Sequence, residues 1–178
     1  PGLSASAGAP VVSEAVSASA LAKDTAETAG EISVSRKGSL LLISGKGALT
    51  AATLKDTDFS EITEVQVKAG ITAIGSGAFL DQKTIKKVSL PDSVLTIETN
   101  AFRGCETLEE IQFGSALKTI GSFAFYRCKS LTSLALPDSV KTLETGAFQE
   151  CTALKTAALG NGVKKLPIQL FRGCTSLE

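Results

Sequence analysis

Histidine, methionine and tryptophan do not occur among the 178 residues, and tyrosine occurs once. Without histidine the chain lacks the commonest general base and the commonest zinc ligand, so most hydrolytic mechanisms lose their proton carrier. Net charge is missing as well. The 18 Lys and Arg balance 18 Asp and Glu, which leaves no bulk field to hold nucleic acid or an anionic membrane, and any charged contact has to be local. Long apolar runs are absent: the longest, Leu40-Leu41-Leu42-Ile43, stops at Ser44, far short of the ~20 residues that span a bilayer. With no Met and with Pro1 first, the sequence reads as a piece of a longer gene product. An export signal, removed on maturation, would leave no trace in it either way.

What is present suffices for one domain. Hydrophobic residues make up 43% and charged residues 20%, enough to bury a core. Composition shifts near residue 31. Residues 1–30 are almost entirely Ala, Ser, Gly, Thr and Glu, with only Leu3, Val11, Val12, Val16 and Leu21 as sizeable apolar groups, and they read as a flexible tether. Ser13 as a cap and the alanine content allow a helix from about Glu14 to Ala29, although its apolar stripe is thin. Residues 31–61 read as an N-terminal cap. Ile32 and Val34 alternate with polar residues, Arg36-Lys37-Gly38-Ser39 supplies a turn, and Leu40 to Ile43 forms a second strand, the pattern of a β-hairpin.

From Ile62 onward the chain is periodic. Phe79, Phe102, Phe125, Phe148 and Phe171 are each 23 residues apart. The same interval separates Ile74, Ile97, Ile120, Leu143 and Leu166, and it separates Ala78, Ala101, Ala124 and Ala147, with Leu170 breaking that column. Further columns are Ile71, Val94, Leu117, Val140 and Val163, and Val67, Leu90, Phe113, Leu136 and Leu159. Apolar columns at such a period mark a solenoid, because one unit cannot bury its own apolar face and must stack on its neighbours. Residues 62–178 hold five complete units and the start of a sixth.

Within a unit, Leu108-Glu-Glu-Ile111-Gln-Phe113 has apolar residues at positions 1, 4 and 6, the L-x-x-L-x-L signature of leucine-rich repeats. Alternation sends Ile111 and Phe113 inward and Glu110 and Gln112 onto the outer face of a parallel sheet with one strand per repeat. Pro91, Gly114, Pro137 and Gly160 mark the corner that follows. Val94-x-x-Ile97 begins the return path, and the segment around Ala-Phe makes a tight turn or 3₁₀ element. The predicted fold is a leucine-rich-repeat solenoid of the α/β type, mostly short parallel strands with turns or 3₁₀ elements, closed by an N-terminal capping β-hairpin.

The units Ile97-Glu-Thr-Asn-Ala-Phe102-Arg-Gly-Cys105-Glu-Thr-Leu108 and Ile120-Gly-Ser-Phe-Ala-Phe125-Tyr-Arg-Cys128-Lys-Ser-Leu131 resemble BspA-like, or Treponema-type, leucine-rich repeats, as do the joining segment Leu136-Pro-Asp-Ser-Val140 and the preceding Gly38 to Gly47 hairpin. The resemblance covers residues 31–178. It implies a non-enzymatic, adhesin-like protein of bacteria or some protozoa, exported to the cell surface, the periplasm or the medium, that binds a host matrix or cell-surface protein or a glycan. No catalytic, cofactor or metal residues carry over, and binding residues differ between members. Phe59 and Gln82 stand where the recurring Cys would fall, and Pro167 departs from the turn chemistry of the other units.

Cys105, Cys128, Cys151 and Cys174 recur at the same interval. One uniformly buried ladder of free thiols is the expected state. A bridge between neighbours is conceivable, since stacked coils lie about 5 Å apart, although parallel side-chain vectors oppose it. No phosphate loop is present, because Leu40 stands where a Walker loop starting before Ser44-Gly45-Lys46-Gly47 needs glycine. Glu109 and Glu110 point to different sides of a strand and share no acid–base task.

Two surface features remain. The first is the stripe Lys118, Lys141 and Lys164, a candidate docking strip for an anionic glycan or an acidic protein, with Asp138 and Glu144 as its expected neutralising neighbours. The second is the outward sheet face. One column there runs Glu64, Lys87, Glu110, Ser133 and Thr156, with Lys87 expected to pair with both glutamates; the next runs Gln66, Ser89, Gln112, Ala135 and Ala158. Its bare half, Ser133, Ala135, Thr156 and Ala158, is the preferred contact patch. Two functions stay open: a binding module that engages a protein or glycan through its repeat surface, or an assembly element that stacks or oligomerises through its open C-terminal coil. The oligomeric state and the ligand are not readable.

Overall fold

A computed structural model of the chain describes residues 31–178; the tether and the helix considered for residues 14–29 lie outside them. The cap begins with β1 (Ser33–Lys37) and β2 (Leu40–Ser44), antiparallel with Lys37 opposite Leu40. Gly38 opens their two-residue turn at φ 61, a left-handed value that glycine adopts without strain. β3 (Gly47–Leu49) follows, then the single-turn helix α1 (Ala51–Leu54), whose first turn is held by Thr50 Oγ1 accepting from the Thr53 amide and which buries Leu54. Arg36 fastens the hairpin by donating to the Gly38 carbonyl at 2.8 Å and to Glu61 at 2.5 Å.

The coils then repeat a two-strand pattern: β4 (Glu64–Val67) and β5 (Ile71–Ile74), β6 (Lys87–Ser89) and β7 (Thr96–Ile97), β8 (Glu110–Gln112) and β9 (Thr119–Ile120), β10 (Ser133–Ala135) and β11 (Thr142–Leu143), and finally β12 (Thr156–Ala158). The first strands make the expected parallel sheet, β2-β4-β6-β8 and then β10-β12, with β1 at the edge. The return path is more regular than the sequence suggested. It forms a second parallel sheet, β11-β9-β7-β5-β3, because the Ile-x-x-Ile spacing buries both ends of the segment while its amides bond the coil before, as from Lys118 to Leu95 and from Glu98 to Ile74, both at 2.8 Å.

The core fills the space inside the coil. Phe79, Phe102, Phe125 and Phe148 are fully buried and stack at 5.0–5.2 Å with planes within 6°; Phe171 continues the column at 5.9 Å and 18°. No polar or charged residue is buried among the described residues. The backbone turns carry their own ladder, with Phe102 N–H donating to Ala124 and Phe125 N–H to Ala147, both at 2.8 Å.

The chain departs from the periodic expectation in two places, at Ile111 with Phe113 and at Leu166. Ile111 and Phe113 face inward but are only partly buried, and the first sheet is interrupted between β8 and β10. Phe113 stands edge-on to Phe125 at 6.0 Å, a ring where the same column elsewhere holds Val or Leu, and such overfilling pushes neighbours apart. Leu166, expected in the core, is 65% exposed, and Ile168 is 73% exposed. In the preceding coils the residue after this column donates its amide to the earlier coil: Gly75 to Leu49, Glu98 to Ile74, Gly121 to Ile97 and Glu144 to Ile120. Pro167 has no N–H to give, so the second sheet ends at β11 and Leu166 turns outward.

Phe125→Ala, which opens a cavity between two coils, should cost about 3 to 5 kcal/mol in denaturant unfolding, with Thr132→Ala as a neutral surface control; equal midpoints for the two would refute burial of the column. Asp92 accepts from both the amide and the hydroxyl of Ser115, at 2.6 and 2.9 Å, and these bonds hold its carboxyl below the ordinary range. A depressed folded-state pKa contributes stability above the unfolded value and loses it as pH falls through the folded value. Melting temperature should therefore decline on acidification through and below the ordinary carboxylate range, and Asp92→Asn should flatten that decline.

Candidate interaction surfaces

Strand register places the outward residues side by side. Ser133 lies opposite Thr156 and Ala135 opposite Ala158, and all four are exposed, so β10 and β12 form one patch without a long side chain. The preceding coils continue the same face with Glu64 opposite Lys87 and Lys87 opposite Glu110. Lys87 pairs with Glu110 at 3.3 Å; Glu64, its other expected partner, is not within ion-pair distance. Gln112 also donates to Glu110, at 3.2 Å, and Gln112 and Lys87 together lower the Glu110 carboxyl. A hollow of about 220 Å³ lies over this charged half, lined by Glu64, Lys87, Ser89, Glu110 and Gln112. The cap extends the face, since Leu40 and Leu42 are in register with Glu64 and Gln66.

Lys118, Lys141 and Lys164 are all exposed. The stacking holds at the backbone, where Lys141 N–H donates to Lys118 at 2.9 Å, and Lys164 Nζ donates to the Asn161 carbonyl at 3.0 Å. The expected neutralising carboxylates are engaged elsewhere: Asp138 accepts from the Asn161 amide at 2.7 Å, and Glu144 accepts from the amide and hydroxyl of Ser122. Among the described residues none of the three lysines has an ion-pair partner.

Sequence reasoning missed a third feature, on the turns. At one corner every coil takes left-handed φ: Gly77, Asn100, Phe123, Gly146 and Gln169, at 55–62°. Glycine and asparagine suit this. Phenylalanine does not, and Phe123 stores on the order of 1–3 kcal/mol of strain there. Its ring lies over Gly146, where an added Cβ would come within 2.6 Å, and meets Tyr126 edge-on at 6.0 Å. The Arg103 and Arg127 guanidinium groups lie over the Tyr126 ring at 5.1 and 5.0 Å. Arg127 is paired with Glu150 at 2.9 Å. Gln149 Oε1 is buried without a donor. The available signal was the breakdown of columns: a Phe among Gly, Asn and Gln, and the sole Tyr.

The thiols form the expected ladder in three of four coils. Cys105, Cys128 and Cys151 are fully buried and unbridged, and each donates to the carbonyl of the Phe 26 residues earlier: Phe79, Phe102 and Phe125, at 3.0–3.3 Å. Burial pushes Cys105 up to about 12 and Cys128 well above the ordinary thiol range. Cys151 is raised by its contact with Cys174 and by burial. Cys174, on the last coil, is only half-buried, and the same contact lowers it; the column is thus not uniformly shielded. Among the described residues no group of three or more His, Cys, Asp and Glu is placed to hold a metal ion, and no helix is long and apolar enough to cross a membrane.

The sequence model of the BspA type leucine rich repeat region matches residues 56–178 in six copies. The chain belongs to the BspA-type leucine-rich-repeat family. Among solved structures, this BspA-type repeat chain is similar to the leucine-rich-repeat protein of T. pallidum, with 25% identity and a TM-score of 0.67 over 87% of this chain and 69% of that one. It is similar also to the pneumococcal vaccine antigen PcpA, with 26% identity and a TM-score of 0.68 over 82% of this chain and 35% of that one. A leucine rich cell surface protein from Faecalibacterium prausnitzii shares the fold at 24% identity and a TM-score of 0.62, over 85% of this chain and 40% of that one. This chain therefore spans well under half the length of the last two. No curated protein sequence matches it.

Native protein should consume one equivalent of a bulky thiol reagent quickly, at Cys174, and three more only after unfolding, since reactivity follows exposure and thiolate fraction. Four equivalents without denaturant would contradict the buried column; none would contradict the exposure of Cys174.

Proposed function

We propose that the chain is a non-enzymatic binding module, exported or surface-displayed, that engages a protein through the outward face of its first sheet. The observation that carries this reading is the register of β10 and β12, which brings Ser133, Thr156, Ala135 and Ala158 into one flat, exposed patch. Small side chains let a partner approach the strands closely, with the hollow of the charged half beside it to fix orientation. Leucine-rich repeats use extended concave faces in this way, and a similar solved structure is described as a cell surface protein. The absence of histidine removes the usual proton carrier from any catalytic alternative.

The lysine stripe supports a second reading, an anionic glycan docked along Lys118, Lys141 and Lys164, because none of these cations has an ion-pair partner among the described residues. Assembly through the last coil, the remaining alternative, has the exposed Leu166 and Ile168 as its contact surface. Pro167 denies that surface the backbone pairing that joins the earlier coils.

Binding to purified extracellular-matrix proteins should be abolished by Ala135→Arg with Ala158→Arg, which plants two long charged groups in the patch and leaves the fold intact. Lys118→Glu with Lys141→Glu should leave it unchanged. If the lysine pair is the damaging one, and binding also falls steeply between low and physiological salt, where charges more than about 8 to 10 Å apart are screened, the stripe carries the function. Sedimentation that follows mass action across a concentration series would instead support assembly.

A further inference from the structure

We infer that the turn face holds a separate binding site, a cleft of about 270 Å³ lined by Arg103, Phe123, Tyr126, Gln149 and Gln169, that takes an acidic sugar residue such as a uronic acid.

The cleft is built from departures that the repeat does not require. Core columns stay apolar from coil to coil, because each side chain must pack on its counterpart in the next coil. The position after each core Phe does not: it reads Leu80, Arg103, Tyr126, Gln149 and Arg172. Beside it, Phe123 occupies a left-handed corner where Gly77 and Gly146 sit without strain. Its ring gains no core burial in return, for it is only half-buried. Strain held at a surface position is a mark of a functional constraint. What the ring does achieve is a wall: Gly146 leaves the space, Phe123 lies over it, and Tyr126 closes the angle at 84°.

The polar groups of the cleft define the ligand. Arg103 has no ion-pair partner among the described residues; it donates to Asn100 Oδ1 at 3.5 Å and lies over the Tyr126 ring. Nearby cations are served: Lys83 and Lys129 pair with Glu106, and Arg127 with Glu150. Among the described residues no carboxylate lines the cleft, and Asp81 and Glu106, which line the neighbouring hollow with Arg103, make no ion pair with it, so the planar guanidinium fork is left for a carboxylate from outside. Gln149 lines the cleft with its Oε1 lacking a donor; rotating the side chain would turn that acceptor from Gly146 to a ligand hydroxyl, and an unserved acceptor is costly. Gln169 adds an exposed amide. The Phe123 ring offers a negative face to polarised C–H groups, while the Tyr126 ring carries the Arg103 and Arg127 guanidinium groups. A carboxylate, hydroxyl donors and a face of C–H bonds occur together on one rigid ring in an acidic pyranose. A phosphate lacks the C–H face, and an apolar ligand leaves Arg103 and Gln149 unserved.

Tyr126 is the sole tyrosine, and there is no tryptophan, so intrinsic fluorescence reports binding at Tyr126, and Phe123→Gly assigns it to this cleft rather than to the neighbouring hollow that Tyr126 also lines. The chain is titrated with glucuronic acid, a glucuronate-bearing oligosaccharide, glucose and a glutamyl dipeptide. Both glucuronate probes should change the Tyr126 signal saturably, and glucose and the dipeptide should not. Arg103→Gln should weaken oligosaccharide binding by roughly tenfold or more. Phe123→Gly should abolish it while raising Tm, because glycine takes the left-handed corner freely; a ring with a merely structural role would instead lower Tm on removal. The proposal is overturned by saturation with neither glucuronate probe, by dipeptide or glucose binding as tightly, by unchanged affinity in Arg103→Gln, or by a lowered Tm in Phe123→Gly.

Discussion

Coil-on-coil stacking is the interaction on which everything else in this protein rests. A single turn of 23 residues cannot enclose its own phenyl ring, two branched aliphatics, an alanine and a thiol; the next turn must cover them. The near-parallel phenyl column, 5.0–5.2 Å from ring to ring through the middle of the solenoid, matches the spacing that the two parallel sheets impose on the backbone. Side-chain packing and main-chain hydrogen bonding therefore demand the same rise per coil. That agreement is why one column can run through five units without a buried polar residue among the described ones.

Stacking also explains where variation is free. A core position is constrained from above and below, so Phe, Ile and Ala recur. Positions that point away from the coil meet only their lateral neighbours. There the columns drift from charged to small along the first sheet and change character at every turn. The proposed binding surfaces are such outward columns: the bare patch on β10 and β12, the lysine stripe, and the arginine–aromatic corner around Tyr126. Phe123 shows this most plainly, since the fold asks only for a residue that tolerates left-handed φ, and the chain supplies one that does so under strain.

The ends obey the same rule by contrast. At the N-terminus a hairpin and one helical turn cover the first coil, with Arg36 bonded across to Glu61 and to its own turn. At the last coil Pro167 withholds the amide that would extend the second sheet, which is how Leu166 leaves a column its sequence position placed it in. Cys174 differs from the three thiols before it in being only half-buried, with Cys151 as its thiol neighbour.

The sequence alone determined the repeat, the family resemblance, the capping hairpin and nearly all of the buried positions, because an apolar residue recurring at a fixed interval has one economical arrangement, contact with its own counterpart in the next coil. It also placed Ser133, Ala135, Thr156 and Ala158 on one face, since strand alternation is a local property. Only the tertiary structure decided the matters that depend on three-dimensional neighbours. The return path became a second sheet through its amides' choice of partner, the first sheet parted at Phe113, Asp138 and Glu144 turned to backbone amides rather than to the lysines, and Arg103, Phe123, Tyr126 and Gln149 met across three coils. Such contacts join residues a whole period apart whose types do not repeat, and periodicity, the strongest signal in this sequence, says nothing about residues that break it.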